Sequence, residues 1–484
     1  MEKKTPAYKI DATSWQNQCK KPKKYRYLKR DDSDQLVVYR ENVDDQKFGK
    51  WLNALEDVMY GKYNKRRSVH VENFCGDCND SLLLVVAKGI KTVVATEVAR
   101  TSSGSSAGPL QNDGLVFTSN VKVKFPTRKP KLPGKVLSRS RTTNSKGDSS
   151  PVKVAVFDTG LIRKEFDDFL TSPAFNPCVG QDNIGWNFTV PNANFNDNHP
   201  IAHGSTVSRF IVNEYLKAEG TRPLQIIPVK VHDKNGNSDL YSVLCGLIYA
   251  QKQGANIINA SFGFYAPKKD EKKSAEQTSS SKSLKQTGSS VPEPPKALKP
   301  EEQIGILGRQ GAELLERVIK KHLIPNGVLL VAAAGNSASR AELKNKFGIT
   351  KPPRNERDLG QLDFYPASFS ATFPNVIAVT TVNPEASEVS SEQNFSEKIV
   401  NIGVRSDIVR GFGFRDPRFE KRFLKGSSYA APIVTGLLAA NFSEFKEPLD
   451  KSEIIETLLK TGKLEKKSDL KRQIREGVVI SKRI

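Results

Sequence analysis

Cysteine is scarce in this chain of 484 residues, which also holds only two Met and three Trp. The five cysteines are too few and too widely spaced for a disulfide framework; they are Cys19, Cys75, Cys78, Cys178 and Cys245. Long apolar runs are missing too, since no stretch reaches the roughly 20 apolar residues that cross a bilayer. Residues 1–24 lack the apolar core of a secretion signal. These absences favour a soluble, reduced, cytoplasmic protein without a membrane span.

Acidic residues are outnumbered, with 53 Asp and Glu against 75 Lys and Arg, which gives a formal net charge of +22. Such an excess is compatible with nucleic acid or another acidic partner. No recognisable nucleic-acid-binding motif accompanies the charge. A solvated basic surface is therefore the simpler interpretation.

Two segments with few large apolar residues divide the chain. Residues 125–150 are rich in basic residues, Pro and Ser, and cannot bury enough surface to offset their ordering entropy. Residues 267–301 are rich in Lys, Ser and Pro and are predicted to form a mobile, disordered insertion on the surface. We therefore predict an N-terminal unit at 1–124, a basic linker at 125–150, and a second domain at 151–484 that carries the insertion.

The N-terminal unit has the pattern of a small α+β fold with one helix, Phe48 to Met59. Its predicted strands are Leu36 to Tyr39, Ser68 to Glu72, Leu82 to Ala87, Thr92 to Ala95 and Leu115 to Val123.

The second domain alternates short apolar strands with helices, which indicates a doubly wound, mostly parallel α/β sheet covered on both faces by helices. The predicted strands are Val152 to Phe157, Ile226 to Val231, Asn256 to Ala260, Val328 to Ala332 and Val376 to Thr380, and the predicted helices are Ser205 to Lys217, Leu240 to Gln253 and Ala312 to His322. In such sheets the ligand crevice lies beyond the carboxyl ends of the strands.

Three polar residues stand at the ends of these strands and helices. Asp158 ends the first strand, His203 begins a helix, and Ser428 begins a helix rich in Ala and Gly. We expect Pro432 to be tolerated because it falls in the first turn of that last helix. A carboxylate, an imidazole and a hydroxyl can together form an activated serine nucleophile, in which the imidazole takes the proton and the carboxylate orients it.

Acyl transfer also needs donors for the oxyanion of the tetrahedral intermediate. Asn336 ends the apolar run GVLLVAAAGN and can donate through its amide, and the backbone N–H of Ser428 would be the second donor. Each of the four residues alone has a structural explanation, as a turn, a helix cap or a left-handed residue. Their joint occurrence at strand and helix ends favours catalysis.

These motifs resemble those of the subtilases, the subtilisin-like serine proteases, over about residues 151–484. AVFDTG, HGSTV, AAAGN and GSSYAAP resemble the family's aspartate, histidine, oxyanion and serine blocks, although Ser205 and Thr206 replace the usual Thr and His. The resemblance implies a subtilisin-like fold and a serine endopeptidase that acts on protein or peptide substrates. It assigns Asp158 as the orienting acid, His203 as the base and Ser428, not Ser427, as the nucleophile.

The resemblance also implies a substrate-binding cleft, in which an extended substrate pairs with the backbone of NASFGF as an added strand. Phe364, in QLDFYPASF, would line the bottom of the pocket for the side chain before the scissile bond. A ring there predicts small side chains in the substrate, whereas Asp363 would favour basic ones. A buried strand that touches no substrate remains the alternative for NASFGF. The implied substrate-binding residues are Ser261, Phe262, Gly263, Ala333, Gly335 and Phe364.

No metal or other cofactor is required by this chemistry. Cys75 and Cys78 form a single CxxC with His70 nearby, which is short of a closed zinc site. The alternating Asp233 to Asp239 segment lacks the final Glu of a calcium loop and is better explained as a turn. Subtilases commonly bind structural calcium, but the sequence locates no such site.

Three alternatives stay open at this point. The N-terminal unit is compatible with an inhibitory prosegment, as in secreted subtilases, or with a targeting domain. The whole chain could be a binding protein on an inactive protease fold. The basic charge leaves a nucleic-acid-binding protein as the third alternative.

Overall fold

A computed structural model of the protein describes residues 35–40, 45–63, 70–72, 82–86, 115–119, 122–124, 150–176, 181–190, 192–268, 299–408, 413–419 and 422–481. The predicted linker up to residue 149, residues 269–298 of the predicted insertion and the strand predicted at Thr92 to Ala95 lie outside these ranges.

The N-terminal unit contains a four-stranded antiparallel sheet and a helix. In chain order its elements are β1 (Gln35–Arg40), α1 (Asp45–Tyr63), β2 (His70–Glu72), β3 (Leu82–Val86) and β4 (Leu115–Ser119). The strand order is β2-β3-β1-β4. Strand β5 (Lys122–Lys124) follows but leaves this sheet.

The strands of the larger domain are β6 (Val152–Asp158), β7 (Ala174–Asn176), β8 (Gln181–Asn183), β9 (Trp186–Asn187), β10 (Leu224–Lys230), β11 (Asn237–Asp239), β12 (Ile257–Ala260), β13 (Phe264–Ala266), β14 (Leu329–Ala333), β15 (Asp363–Tyr365), β16 (Val376–Val382), β17 (Val400–Arg405), β18 (Gly413–Arg415), β19 (Phe423–Lys425), β20 (Leu464–Lys466) and β21 (Val478–Ile480). Its helices are α2 (His203–Lys217), α3 (Leu240–Lys252), α4 (Pro300–Val318), α5 (Arg340–Phe347), α6 (Ser427–Ala440) and α7 (Lys451–Lys460). A π-helical turn, Ile319–Leu323, continues α4. Short 3₁₀ turns lie at Arg163–Glu165, Asp167–Phe169, Ile324–Asn326, Ala367–Ala371, Phe442–Glu444, Ser468–Leu470 and Arg475–Gly477.

Nine of these strands form the central sheet, in the order β20-β21-β17-β16-β14-β12-β6-β10-β9. All neighbouring pairs are parallel except β20 with β21, which is antiparallel. The predicted fold class, a doubly wound, mostly parallel α/β sheet preceded by a small α+β unit, is confirmed.

Both faces of the sheet are covered because successive side chains of a strand point to opposite faces. On β6, Val154 and Val156 belong to a buried cluster that includes residues of α2 and α6. The alternate residues Ala155 and Phe157 belong to a second cluster with residues of α3. Because β6, β12 and β14 are parallel neighbours, their carboxyl ends meet at one edge of the sheet. Helices α2 and α6 lie on the same face.

The N-terminal sheet packs on the side of the central sheet that α3 covers. Val37 and Tyr39 of β1 lie in the same buried cluster as α3, and the Lys321 ammonium lies 5.5 Å from the centroid of the Tyr39 ring. Phe48 and Trp51 of α1 are buried and stacked, with ring centroids 5.8 Å apart. The N-terminal unit thus shares apolar core with the larger domain.

Helix α4 begins twelve residues before the predicted helix Ala312 to His322, so the last two residues of the predicted insertion, Pro300 and Glu301, form its first turn. Gly305, Gly308 and Gly311 weaken the helical pattern of this stretch in the sequence. The structure explains Gly305, since a Cβ on it would lie 2.8 Å from the Gly348 carbonyl oxygen. A close approach between chain segments is visible only in three dimensions.

The single strand predicted at Leu115 to Val123 is wrong, because this stretch supplies two strands with different partners. Strand β4 pairs with β1, whereas β5 pairs antiparallel with β11 of the larger domain, with Val123 opposite Ser238. The apolar pattern does not reveal the partner of a strand, which is set by tertiary structure.

The expectation of reduced thiols is wrong for Cys245, a buried residue of α3 that is disulfide-bonded. Sequence spacing cannot show which cysteines the packing of a domain brings together. Within the described ranges, no helix is both long and apolar enough to cross a membrane.

Candidate active site

Asp158 and His203 form a buried pair at the carboxyl edge of the sheet. Asp158 ends β6 and is fully buried, and His203 begins α2 and is 5% exposed. The His203 Nδ1 lies 2.8 Å from Oδ1 and 2.9 Å from Oδ2 of Asp158. Burial alone would raise the pKa of the Asp158 carboxyl, but the charge and hydrogen bond of His203 bring that pKa below its ordinary value. The pair therefore holds a carboxylate against one ring nitrogen of an imidazole.

Two glycines allow this close approach. A Cβ on Gly204 would lie 2.2 Å from the Gly160 carbonyl oxygen and 3.0 Å from the Asp158 Cβ. Gly160 has a φ of 112°, which an L side chain rarely adopts. The Asp-Thr-Gly turn after β6 and the His-Gly start of α2 consequently fit together only with glycine at both positions.

The start of α2 is held by Asp197, a buried residue that sequence reasoning missed. The helix begins after Ala202, which offers no side-chain cap. Asp197 Oδ2 instead accepts hydrogen bonds from the Ser205 N–H and hydroxyl, both at 2.9 Å. Asp197 Oδ1 accepts from the Thr159 hydroxyl at 2.9 Å, and that hydroxyl accepts from the Gly204 N–H at 3.0 Å. Asp197 thus joins the turn that carries Asp158 to the helix that carries His203.

Ser205, which departs from the usual subtilase motif, has a defined place in this network. Besides its two bonds to Asp197, its hydroxyl accepts a hydrogen bond from the Ile162 N–H at 2.9 Å. The only sequence signal for Asp197 is an acidic residue in the Asn-rich loop six positions before His203.

Ser428 is the second residue of α6, which packs beside α2. The ring of the next residue, Tyr429, lies 5.2 Å from the His203 ring, centroid to centroid. The Ser428 carbonyl accepts a hydrogen bond from the Ser261 hydroxyl at 2.8 Å. The start of α6 therefore contacts the segment that follows β12 through the Ser428 carbonyl and His203 through the Tyr429 ring.

Asn336 lies next to the start of α6. Its side-chain Oδ1 is 3.4 Å from the Ser427 N–H, and the Gly335 N–H donates to the Ser427 hydroxyl at 3.0 Å. Tyr265 holds the Asn336 carbonyl by a hydrogen bond of 2.7 Å. The Ser427 hydroxyl is thus engaged in the interior, and the asparagine amide is fixed beside the N-terminus of the helix.

The predicted substrate segments lie beside these residues. Ser261 and Phe262 turn their side chains inward, since Ser261 is fully buried and the Phe262 ring lies 5.2 Å from the His232 ring. The Phe364 ring lies against Gly263 and Gly335, where a Cβ would come within 2.4 Å and 2.7 Å of its Cε1. The ring therefore fills the space between the segment after β12, Ser261 to Gly263, and the segment from Ala333 to Gly335.

Pro432 lies well inside α6, so its predicted place in the first turn is wrong. The Ser428 carbonyl would accept from an N–H at position 432 in a regular helix, and proline has none. The hydrogen bond from Ser261 satisfies that carbonyl instead. A partner in a distant segment replaces the missing helical bond.

Among the described residues, no group of three or more His, Cys, Asp and Glu could hold a metal ion. The CxxC at Cys75 and Cys78 lies outside them. The segment from Asp233 to Asp239 is a turn, closed by the Gly236 N–H bond to the Asp233 carbonyl at 3.0 Å, followed by β11. Asp239 caps α3 by accepting from the Ser242 N–H at 2.9 Å.

The model of the subtilase family matches residues 149–477. Among solved structures, the chain is similar to a lanthipeptide protease, with 17% identity over 68% of this chain and 85% of that chain and a TM-score of 0.43. It is also similar to a cold-adapted subtilisin-like serine proteinase, at 16% identity, 72% and 95% coverage and a TM-score of 0.40. A third similar structure is an epidermin leader peptide processing serine protease from Staphylococcus aureus, at 14% identity, 93% and 98% coverage and a TM-score of 0.45. No curated protein sequence matches the chain.

Proposed function

The chain belongs to the subtilase family of serine proteases, and we propose that it is an endopeptidase that hydrolyses peptide bonds through an acyl-enzyme. The observation that carries this proposal is the buried pair of Asp158 and His203 at 2.8 Å, with Ser428 one residue from the ring that packs on His203. A buried carboxylate that holds one nitrogen of an imidazole leaves the other nitrogen to act as a base.

In this mechanism, His203 takes the proton from the Ser428 hydroxyl as it attacks the substrate carbonyl. The imidazolium is stabilised by Asp158, and His203 then gives the proton to the leaving amine. The Asn336 amide and the Ser428 N–H donate to the oxyanion of the intermediate. In subtilisin, where removal of one such amide donor has been measured, the donor contributes about 2.7–4 kcal/mol of transition-state stabilisation.

The position of Phe364 supports a preference for small side chains before the scissile bond. The ring occupies the space between two segments that would bind the substrate backbone. Side chains alternate along β15, so Asp363 lies on the opposite face, where its Oδ2 is 3.3 Å from the Tyr365 hydroxyl. A basic preference set by Asp363 has less support.

A peptide library, profiled by mass spectrometry, tests both the activity and the preference. The wild-type chain should cleave mainly after Gly, Ala or Ser, and Ser428→Ala should cleave nothing. Phe364→Gly should extend the profile to larger residues. A wild-type profile dominated by large aromatic residues would refute the small pocket, and absence of any cleavage that depends on Ser428 would refute the protease.

The pairing of β5 with β11 supports an inhibitory role for the N-terminal unit. Lys122 to Lys124 pair antiparallel with β11 of the larger domain. In the chain, β11 follows the carboxyl end of β10. An extended peptide substrate would also bind as an added strand. The unit would then act as a prosegment, and the competing role is that of a targeting domain.

A further inference from the structure

The Ser428 carbonyl is one end of a buried chain of side chains that joins α6 to β12. The Asn259 Nδ2 lies 2.9 Å from the Ser261 Oγ, which lies 2.8 Å from the Ser428 carbonyl oxygen. At the other end, the Thr435 Oγ1 lies 3.0 Å from the Asn259 Oδ1. Asn259, Ser261 and Thr435 are all fully buried.

The direction of these hydrogen bonds is fixed by chemistry. A carbonyl only accepts, so the single Ser261 hydroxyl proton goes to Ser428. Ser261 must then accept from the Asn259 amide, whose oxygen is left facing the Thr435 hydroxyl. Thr435 shares its proton between this oxygen and the Ala431 carbonyl, also at 3.0 Å.

Pro432 explains why the chain is needed. A residue with an N–H at position 432 would satisfy the Ser428 carbonyl within α6. Proline releases that carbonyl from the helix, and a buried carbonyl without a partner is costly. The bond from Ser261 therefore ties the nucleophile's own backbone to the segment that would hold the substrate.

We infer that Ser261 is a positioning residue for Ser428, which fixes the nucleophile's carbonyl in place of the helical bond that Pro432 removes. This rests on the proposed serine protease function. The side chain of Ser261 then acts through Ser428, while only the backbone of Ser261 would face a substrate. The effect of Ser261 should accordingly be on the chemical step rather than on substrate binding.

A double-mutant cycle on peptide hydrolysis tests this inference. In the wild-type background, Ser261→Ala should lower kcat about tenfold while KM changes less than about twofold. Pro432→Ala supplies a helical N–H for the Ser428 carbonyl. In that background, Ser261→Ala should lower kcat by less than about threefold.

Thr435→Val is a milder second variant, because it removes the hydroxyl that bonds Asn259 and keeps the shape of the side chain. Like Ser261→Ala, Thr435→Val should lower kcat and leave KM unchanged. The labelling rate of Ser428 by a fluorophosphonate should fall in parallel with kcat, and thermal unfolding by circular dichroism verifies that each variant is folded.

If the wild-type enzyme is active, either of two results would overturn the inference. They are an equal loss from Ser261→Ala in both backgrounds and a loss confined to KM. A wild-type chain that neither hydrolyses peptides nor reacts with the fluorophosphonate would instead overturn the proposed function on which the inference rests.

Discussion

At the residue scale, the pair of Asp158 and His203 shows what a buried carboxylate contributes. Asp158 is fully buried, and both of its oxygens face Nδ1 of His203. Its Oδ1 also accepts a hydrogen bond from the Thr159 N–H at 2.7 Å. This arrangement fixes which ring nitrogen carries the proton, so that the other nitrogen can accept one.

Asp158→Asn should lower kcat by about 10⁴-fold, the size of this effect in serine protease triads, because the amide can stabilise the wrong tautomer. The stability of the fold should change little, since the shape is kept. Steady-state kinetics beside urea denaturation measures both quantities. A variant that is fully folded and retains more than about a tenth of the activity would contradict the role of Asp158.

The buried His232 and the half-buried His322 should make the protein less stable in acid. Burial lowers the pKa of His232 to about 3, and burial with Lys321 and Lys252 nearby lowers that of His322 to about 4. Unfolded histidine titrates near 6.5, so below that pH the unfolded chain binds more protons than the folded one. The free energy of unfolding should fall as pH drops from about 6.5 towards 4, by at most about 1.4 kcal/mol per pH unit for His232.

The test compares Ser428→Ala with the double variant Ser428→Ala, His322→Gln by urea denaturation across this pH range. The Ser428→Ala background avoids self-digestion. The double variant should lose stability less steeply between about pH 6.5 and 4. Identical slopes would show that His322 does not stay neutral in the folded protein.

The pairing of Asp158 with His203 could be predicted from the sequence, but the contacts that support the candidate site could not. Asp158, His203, Asn336 and Ser428 stand in recognisable local motifs. Asp197 acts through hydrogen bonds to residues up to 38 positions away, and Ser261 through one that spans 167 positions. No local pattern records such partners.

At the element scale, α2 depends on a cap from outside the helix. Asp197→Ala would leave the Ser205 and Thr159 donors buried without their acceptor and should lower the free energy of unfolding by about 1–3 kcal/mol. Activity should fall as well, because the start of α2 carries His203. Urea denaturation and kcat are the measurements.

Asp168 is an exposed acidic residue in a nearby 3₁₀ turn, and Asp168→Ala is the matched control. This substitution should change the free energy of unfolding by less than about 0.5 kcal/mol. Equal effects of the two substitutions would show that the loss reflects net charge rather than the cap.

The elements were predicted best where an apolar pattern was strong. The five predicted central strands all exist, with bounds that differ by one or two residues. Helix α4 was predicted too short because three glycines interrupt its pattern. Pro432 was wrongly placed in the first turn of α6, because the hydrogen bond from Ser261 that compensates for it comes from a distant segment. In each case the deciding contact is tertiary.

At the scale of the whole molecule, the N-terminal sheet and the larger domain share buried core, and β5 pairs with β11. If the unit is a prosegment, the wild-type chain should be cut within residues 125–150, because this basic segment rich in Pro and Ser follows β5. Intact mass spectrometry after incubation should show this cut in the wild type and a full-length chain for Ser428→Ala.

Purified residues 1–124 should also inhibit the processed enzyme in a peptide hydrolysis assay. An uncut wild-type chain with full activity would favour the targeting role. A cut that appears equally in Ser428→Ala would point to a contaminating protease.

The central claim is that Ser428 is activated by its surroundings, and covalent labelling with a fluorophosphonate tests it most directly. The account predicts one adduct per wild-type chain, mapped by mass spectrometry to Ser428, with none on Ser428→Ala or on the heat-denatured protein. A folded wild-type chain that stays unlabelled both before and after processing, or an adduct on Ser427, would contradict it.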